Sequence, residues 1–386
     1  MILRDETERT IRAWDAYERR RGTSPVIDYD CYPVDVEIEP ATSRLEVLQQ
    51  LQRLWKELED QDEPEVRRRL QSDITYLRAV LGERLPLNEY VEKTQGCSAA
   101  GWSEDYLMHR RDQARARLAE IGVGWHIGTA EEMSLVETPL KVQDVPDIVR
   151  GMVAEFEPQV RAITGSSAPF EISIENVNID AYWSYWLDGA GEKARMRLNL
   201  KNAVFTEVSA RAFTLHEIFG HALQCASFSE RALAADVPWV RLSSVHAAQQ
   251  VLLEGLAQAL PLFVIPDDQR AMARLSFVHY TQLVRADLHR LINAGASIDD
   301  CVARARTLLP FWTDENIGNI LSDRGVNPQL RSYLWAYPAG LDWFVALVES
   351  GSSVAGEVLQ ASYRDPLAPD DLTKLWPAGP KFGGDL

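Results

Sequence analysis

Within the apolar stretch Thr214-Leu215-His216-Glu217-Ile218-Phe219-Gly220-His221-Ala222-Leu223-Gln224, two histidines stand five residues apart, and a glutamate directly follows the first. This spacing constrains the backbone more tightly than any other feature of the chain. At 3.6 residues per turn, positions i and i+4 differ by about 40° around a helix, whereas i and i+5 differ by about 140°. A regular α-helix therefore points His216 and His221 apart. They meet only if the helix takes up an extra residue as a π-bulge, a feature frequent at functional sites. Gly220 is where such a bulge is least hindered. The sequence thus predicts an irregularity between His216 and His221.

The residue types are those of a catalytic metal site. Zinc takes neutral imidazole nitrogens, often one carboxylate, and keeps a position open in a catalytic site. Glu217 is placed to take a proton from the attacking water. A third ligand is offered by Glu254-Gly255-Leu256-Ala257, in a helix expected over Val251 to Leu260, 38 residues after His216. A carboxylate in an apolar stretch is costly to bury unless paired. A metal provides that pairing, and the small neighbours Gly255 and Ala257 let two helices approach closely. The competing reading is two unrelated histidines on a buried helix and a Glu254 held by an arginine. Iron or another divalent metal suits the same His/His/carboxylate set. Cys225, four residues beyond His221, is a less favoured ligand, because a thiolate is not needed once Glu254 is present.

The rest of the chain reads as mainly α, an α+β fold with a small antiparallel sheet beside a helical metal-binding core. Ser43-Arg44-Leu45-Glu46 has the pattern of a capping box. Behind it Leu48, Leu51, Leu54, Trp55 and Leu58 recur at helical spacing. The break at Asp60 to Pro64 is followed by Val66, Leu70, Ile74, Leu77 and Leu81, giving a helical hairpin. Further helices are expected at Leu87–Lys93, Ser103–Ile121 and Val145–Ile163. The arginine-rich stretches Arg67 to Arg69 and Arg110 to Arg117 read as solvated faces. After Gly165 the texture changes. Phe170 to Ile174 alternates, Ala181 to Leu187 is rich in Tyr and Trp, Asp188-Gly189-Ala190-Gly191 is a turn signal, and Arg195 to Leu200 alternates again. Helix returns from Phe205. Two regions are expected, 1–165 helical and 166–386 carrying the metal site, packed together as one unit.

Composition narrows the partners. With 40 basic and 57 acidic residues the net charge is −17, which argues against a nucleic-acid groove. The charged N-terminus carries no signal-peptide pattern, and no apolar run reaches the roughly 20 residues of a membrane span. The four cysteines form no CxxC pair and read as reduced thiols in a cytoplasmic protein. The eleven tryptophans suit an aromatic-lined cleft as well as a core.

With these residues in view, the pattern H-E-…-H followed by a helix carrying Glu resembles the gluzincin metallopeptidases. The lengthened spacing is similar to the H-E-x-x-G-H motif of dipeptidyl peptidase III. The surrounding segments resemble a large bacterial family with an H-E-x-x-P-G-H-H-x-Q motif, distantly related to carboxypeptidase Taq. Arg197-Leu198-Asn199-Leu200 is similar to that family's strand ahead of the metal helix. Glu254-Gly255-Leu256-Ala257 is similar to its E-G-W-A, and Arg285-Ala286-Asp287-Leu288-His289 to its R-x-x-D-x-G-x-H region. Arg331-Ser332-Tyr333 with Tyr337-Pro338-Ala339-Gly340 is similar to its R-Y-x-x-x-P-G-Q. The likeness runs from about Tyr182 to Val348, and the chain lacks the Pro and the second His of the family motif.

The resemblance implies a zinc site of His216, His221 and Glu254 with Glu217 as base. A tetrahedral oxyanion needs a donor, for which Tyr333, Tyr337 and His289 are candidates and Tyr333 fits the family pattern best. Asp287 is expected to orient a ligand histidine or to pair with Arg285. Arg197 or Arg331 is a candidate for receiving a substrate carboxylate. Asn199 belongs to a strand, Arg195 to Leu200, that at a sheet edge could pair with an extended substrate. The leading expectation is metal-dependent hydrolysis of an amide bond in a peptide or peptide-like small molecule. The alternatives are a metalloenzyme of the same fold with altered, non-peptidase chemistry on a small molecule in specialised metabolism, and a metal-free binding protein.

Overall fold

The computed structural model describes residues 3–58, 62–180 and 184–385. Part of the expected break after Leu58 and residues 181–183 of the Tyr- and Trp-rich stretch lie outside these. The first half is helical: α1 (Leu3–Arg20), α2 (Arg44–Glu57), α3 (Pro64–Val80), α4 (Leu87–Gln95), α5 (Glu104–Glu120), α6 (Thr129–Val136) and α7 (Val145–Thr164). The N-cap of α2 is Ser43, whose side chain accepts from Glu46 N at 3.1 Å. The reciprocal half of the expected capping box is displaced by one residue. Glu46 reaches back to the backbone N–H and hydroxyl of Thr42, at 2.7 and 2.6 Å. Helices α2 and α3 bury Leu51, Leu54, Val66 and Leu70 in one cluster, to which α1 adds Ile11 and Trp14.

Five short strands form one sheet in the order β2-β4-β3-β1-β5, namely β1 (Tyr29–Asp30), β2 (Glu171–Val177), β3 (Tyr185–Ala190), β4 (Lys193–Asn199) and β5 (Leu242–Ser243). Strands β3 and β4 form the expected antiparallel hairpin, with Gly191 at φ 62° in its turn. The sheet is mixed rather than antiparallel, because β2 adds to β4 in parallel, and β1 to β3. This corrects the edge-strand expectation for Arg195 to Leu200. Strand β4 has neighbours on both sides, so its backbone groups are already paired and no substrate strand can add there.

The second half is helix on helix: α8 (Glu207–Phe213), a π-helical stretch Thr214–Leu223, and α9 (Gln224–Ala234) run without interruption. Then come α10 (Gln250–Ala259), α11 (Pro261–Val264), α12 (Gln269–Asn293), α13 (Ile298–Leu308), α14 (Asp314–Leu321), α15 (Pro328–Tyr333), α16 (Ala336–Glu349), α17 (Ala355–Arg364) and α18 (Pro369–Leu375). The largest core cluster joins the π-stretch to α7, α10, α16 and α17 through Phe156, Phe219, Leu256, Trp343 and Tyr363. No helix among the described residues is long and apolar enough to cross a membrane.

The two halves are joined by buried polar contacts. Glu8 of α1 takes two hydrogen bonds from the Arg241 guanidinium, at 2.8 and 2.7 Å. Asp73 of α3 pairs with Arg69 and with His246, whose Nε2 lies 2.7 Å away. Arg69 also reaches Ser244, and Arg68 pairs with Asp371 of α18. The solvated-face reading is thus corrected for Arg69 and Arg110, each less than a tenth exposed. Arg110 lies 2.6 Å from Glu349. Alternating charge on a helix surface does not disclose which face a later helix will cover.

Asp342 of α16 ties three helices together. It accepts from Trp102 Nε1 at 2.8 Å, the Tyr106 hydroxyl at 2.6 Å and His279 Nε2 at 2.8 Å. Burial opposes its ionisation, but the bonds from His279 and Tyr106 win and hold its carboxyl below the ordinary 3.8. A pKa lowered on folding stabilises the protein above the unfolded value and is lost as pH falls through the folded one. Asp342→Asn is therefore expected to cost about 2 kcal/mol at pH 7. Urea unfolding at stepwise lower pH should show the gap to the parent closing below about pH 4; a gap constant with pH would rule this out.

Candidate metal centre

The π-stretch brings His216 and His221 together. Their Nε2 atoms are 3.1 Å apart, with ring planes at 88°. Wider turns shift the angular step so that a five-residue spacing returns to one face. Gly220 serves this arrangement in a way different from that expected. A Cβ there would lie only 2.6 Å from Ala257 Cα, so glycine allows α10 to pack directly on the π-stretch. One residue before Leu256, a Cβ on Gly255 would be 2.5 Å from the Gly340 carbonyl carbon, so α10 is pressed against α16 as well. Between these two close contacts, Glu254 is held at a fixed height on α10.

Glu254 Oε2 lies 3.5 Å from His216 Nε2 and 3.6 Å from His221 Nε2. It is buried and has no hydrogen-bond partner among the described residues. A tetrahedral ion with ligands at 2.0–2.2 Å requires donor atoms about 3.3–3.6 Å apart. The three edges of 3.1, 3.5 and 3.6 Å bracket that requirement. The donor set therefore fits zinc. Glu217 Oε1 stands 3.6 Å from His216 Nε2, to one side of the triangle, and its ligand atom with those of the two histidines lies within 4.8 Å.

The electrostatics point the same way. Burial pushes the Glu217 carboxyl up. Burial also works against the His221 charge, yet Glu254 raises its pKa to about 9. Burial likewise opposes ionisation of Glu254, and the two imidazoles nevertheless hold its carboxyl far below the usual range. The pocket thus favours positive charge at the point the three donors share. Burial and then Glu254 push Asp28 up to about 7. Asp28 comes from the segment ahead of β1, and one of its carboxylate oxygens has no partner among the described residues. Its backbone N–H donates to the Ser243 carbonyl at 3.0 Å, and it lines a different cavity, with Asp15 and Asp30.

The tyrosines form a chain. Tyr337 OH donates to Tyr333 OH at 2.7 Å, and Tyr333 OH donates to Glu254 Oε1 at 2.5 Å. Tyr333 is thereby committed to orienting Glu254. Tyr337 lines a cavity of about 500 Å³ together with His216, Glu217, Gln258, Arg274 and a second phenol, Tyr185.

Other candidates stand elsewhere. His289 is buried against Trp335, with ring centroids 5.9 Å apart, and burial followed by Arg324 and Arg331 lowers its pKa to about 3. The Asp287 oxygens are taken by Arg290 at 3.0 Å and Arg304 at 2.9 Å, so it pairs neither with Arg285 nor with a ligand histidine. The Arg331 guanidinium is spent on Asn293 Oδ1 and the Leu85 carbonyl, both at 2.9 Å, and packs over Tyr90. Arg197 pairs with Asp188 across the hairpin. Asn199 is fully buried and braces the loop at Ile179 and Lys201. Cys225 is buried in an apolar cluster with Tyr29 and Phe228, and burial pushes its thiol well up.

A contact that the local pattern did not disclose supports the π-stretch. The Tyr363 hydroxyl of α17 donates to the Phe219 carbonyl at 2.9 Å. Gln224 Nε2 binds the Ser362 carbonyl one residue earlier on α17. Tyr363→Phe is expected to lower unfolding stability by about 1 kcal/mol. It should also weaken zinc binding, measured by competition with a chromogenic chelator; unchanged affinity would separate α17 from the metal centre.

No family model matches the chain, and no curated protein matches it. Among solved structures it is similar to one described as that of a "putative lipoprotein" from Colwellia psychrerythraea. The identity is 12% and the TM-score 0.55, over 86% of this chain and 60% of that one. At this identity the likeness shows the fold alone.

Proposed function

We propose that the chain is a zinc-dependent hydrolase of amide bonds in a peptide or peptide-like small molecule, of the gluzincin kind. One observation carries the reading: the unpartnered Glu254 Oε2 completes a near-regular triangle with two imidazole nitrogens that a π-helical stretch has brought to one face. A bound zinc ion would supply Lewis acidity and make water acidic enough to yield a nucleophile near neutral pH.

The chain's own groups account for the remainder. Glu217, beside the triangle rather than in it, accepts the proton of the attacking water and returns it to the leaving nitrogen. Tyr337 faces the cavity and offers its hydroxyl to the oxygen of the amide as charge develops there. Tyr333 holds Glu254 in place. Apolar walls at Phe205, Phe213, Leu275 and Val278 exclude water and accept a hydrophobic side chain. The four buried free thiols suit a reducing compartment, and we place the protein in the cytoplasm.

Protein purified without chelator should contain close to one zinc per chain by elemental analysis. His216→Ala, His221→Ala and Glu254→Gln should each abolish it; metal-free wild-type protein would sink the reading. Glu217→Gln should retain zinc and lose about 10²–10⁴-fold in kcat. The tyrosines should separate. Tyr337→Phe lowers kcat at full metal occupancy, whereas Tyr333→Phe weakens zinc affinity by about 10- to 100-fold.

A further inference from the structure

Among its described lining residues, the cavity that holds His216 and Glu217 has a single arginine or lysine, Arg274 of α12. Val278 and Gln282 follow it at four-residue intervals, so one face of α12 forms that wall. The Arg274 side chain is 28% exposed, and its only hydrogen bond among the described residues runs from Nη1 to Glu137 Oε2 at 2.5 Å. An arginine that only joins helices uses up its donors in this protein. Nε, Nη1 and Nη2 of Arg69 are all bonded, to Asp73, Leu242 and Ser244. Arg274 keeps most of its donors for the cavity.

Glu137 is placed to hold this arginine. It is buried at the C-terminal cap of α6, where the negative end of the helix dipole disfavours a carboxylate. Its Oε2 also accepts from the Thr206 hydroxyl at 2.7 Å, and its Oε1 has no partner among the described residues. The next residue, Thr138, stands at φ 65°, in the left-handed region that a β-branched residue rarely adopts. Two backbone bonds enforce that conformation: Glu207 N donates to the Thr138 carbonyl and Leu140 N to the Phe205 carbonyl, both at 2.8 Å. Phe205 is itself a wall of the cavity. Backbone strain of this kind persists where the surroundings over-determine it, and it clusters at functional sites. The result is a buried acid that grips one nitrogen of a guanidinium at the cavity wall.

We propose that Arg274 is the substrate anchor of the cavity, and that the donors Glu137 leaves free receive the carboxylate of a C-terminal apolar residue. A guanidinium gripped through one nitrogen still presents a planar pair of N–H groups, which a carboxylate matches in two parallel hydrogen bonds. Phe213, Leu275 and Val278 line the same cavity and take the side chain. An α-carboxylate and an apolar side chain spring from one carbon, so a single residue meets the cation and the apolar walls together. A carboxylate borne on a side chain would leave its residue with no apolar group for those walls. The reaction part rests on the hydrolase reading. The amide C–N bond breaks, the hydroxyl of water joins the acyl carbon, and the proton of that water goes to the nitrogen of the released residue. Substrates are then peptides ending in an apolar residue, or N-acyl derivatives of an apolar amino acid.

Calorimetric titration of zinc-stripped protein tests the anchor without catalysis. N-acetyl-phenylalanine should bind about 10-fold or more tightly than its C-terminal amide, as expected for a charge-assisted pair. Removing Arg274 alone would strand the buried Glu137, so the variant is the double one, Glu137→Gln with Arg274→Met. It should lose the preference and keep the near-ultraviolet dichroism of the parent. Equal binding of acid and amide by the parent overturns the proposal. So does a preference that survives in the double variant, since the carboxylate would then sit on the histidines. N-acetyl-glutamate α-amide binding as tightly as N-acetyl-phenylalanine overturns the assignment to a C-terminal residue. The unmutated protein gives a second measurement. Saturating N-acetyl-phenylalanine should protect Arg274 from phenylglyoxal, read by peptide mass mapping, and the amide should not; absence of protection overturns the anchor whether or not the double variant folds. With zinc restored, N-acetyl-alanyl-phenylalanine should be cleaved and its C-terminal amide spared, and equal cleavage of both overturns the anchor. Cleavage of neither, with the binding preference intact, upholds the anchor and defeats the hydrolase reading instead.

Discussion

The structure depends on a helix that does not keep its pitch. Between Thr214 and Leu223 the turns widen, and the five-residue interval from His216 to His221 becomes an interval between neighbours on one face. A π-stretch is unfavourable alone, so the surrounding packing must hold it. Gly220 lets Ala257 approach, Gly255 and Gly340 let α10 close on α16, and Tyr363 satisfies the Phe219 carbonyl. These contacts fix the height of Glu254 relative to the imidazoles, and Tyr333 fixes its rotation. The triangle of candidate donor atoms is the result of backbone spacing more than of side-chain reach.

Around the candidate metal centre, Glu217 and Glu254 stand beside the two imidazoles, and Glu254 raises the His221 pKa against the effect of burial. The N-terminal helices contribute to this arrangement although they hold none of the proposed ligands. Ion pairs from Glu8 and from Asp73 anchor the Arg241–His246 segment, to which β1 and the Asp28 region are hydrogen-bonded.

Much of the site was legible because its chemistry is local. His216, Glu217 and His221 lie in one short segment, and the need for a π-bulge follows from helical geometry alone. Glu254 was legible because a carboxylate among Leu, Gly and Ala has few other reasons to be buried. The mainly helical fold and the β3–β4 hairpin followed from periodicity and a Gly-containing turn. What failed concerned partners distant in sequence. The parallel addition of β2 made β4 an interior strand. Asp287 found Arg304, and Arg331 found Leu85 and Asn293.

By itself, then, the sequence predicted the helical irregularity between the histidines and the class of fold, because each is set by local residue patterns, and it marked His216, His221 and Glu254 as candidate donors. Only the tertiary structure decided that Tyr333 binds Glu254 while Tyr337 lines the cavity, which carboxylates Arg69, Arg110 and Arg241 meet, and that Tyr363 supports the π-stretch. Those outcomes depend on which helices pack together across more than a hundred residues of chain, and burial turns that packing into pKa shifts and unpartnered donors that local sequence does not encode.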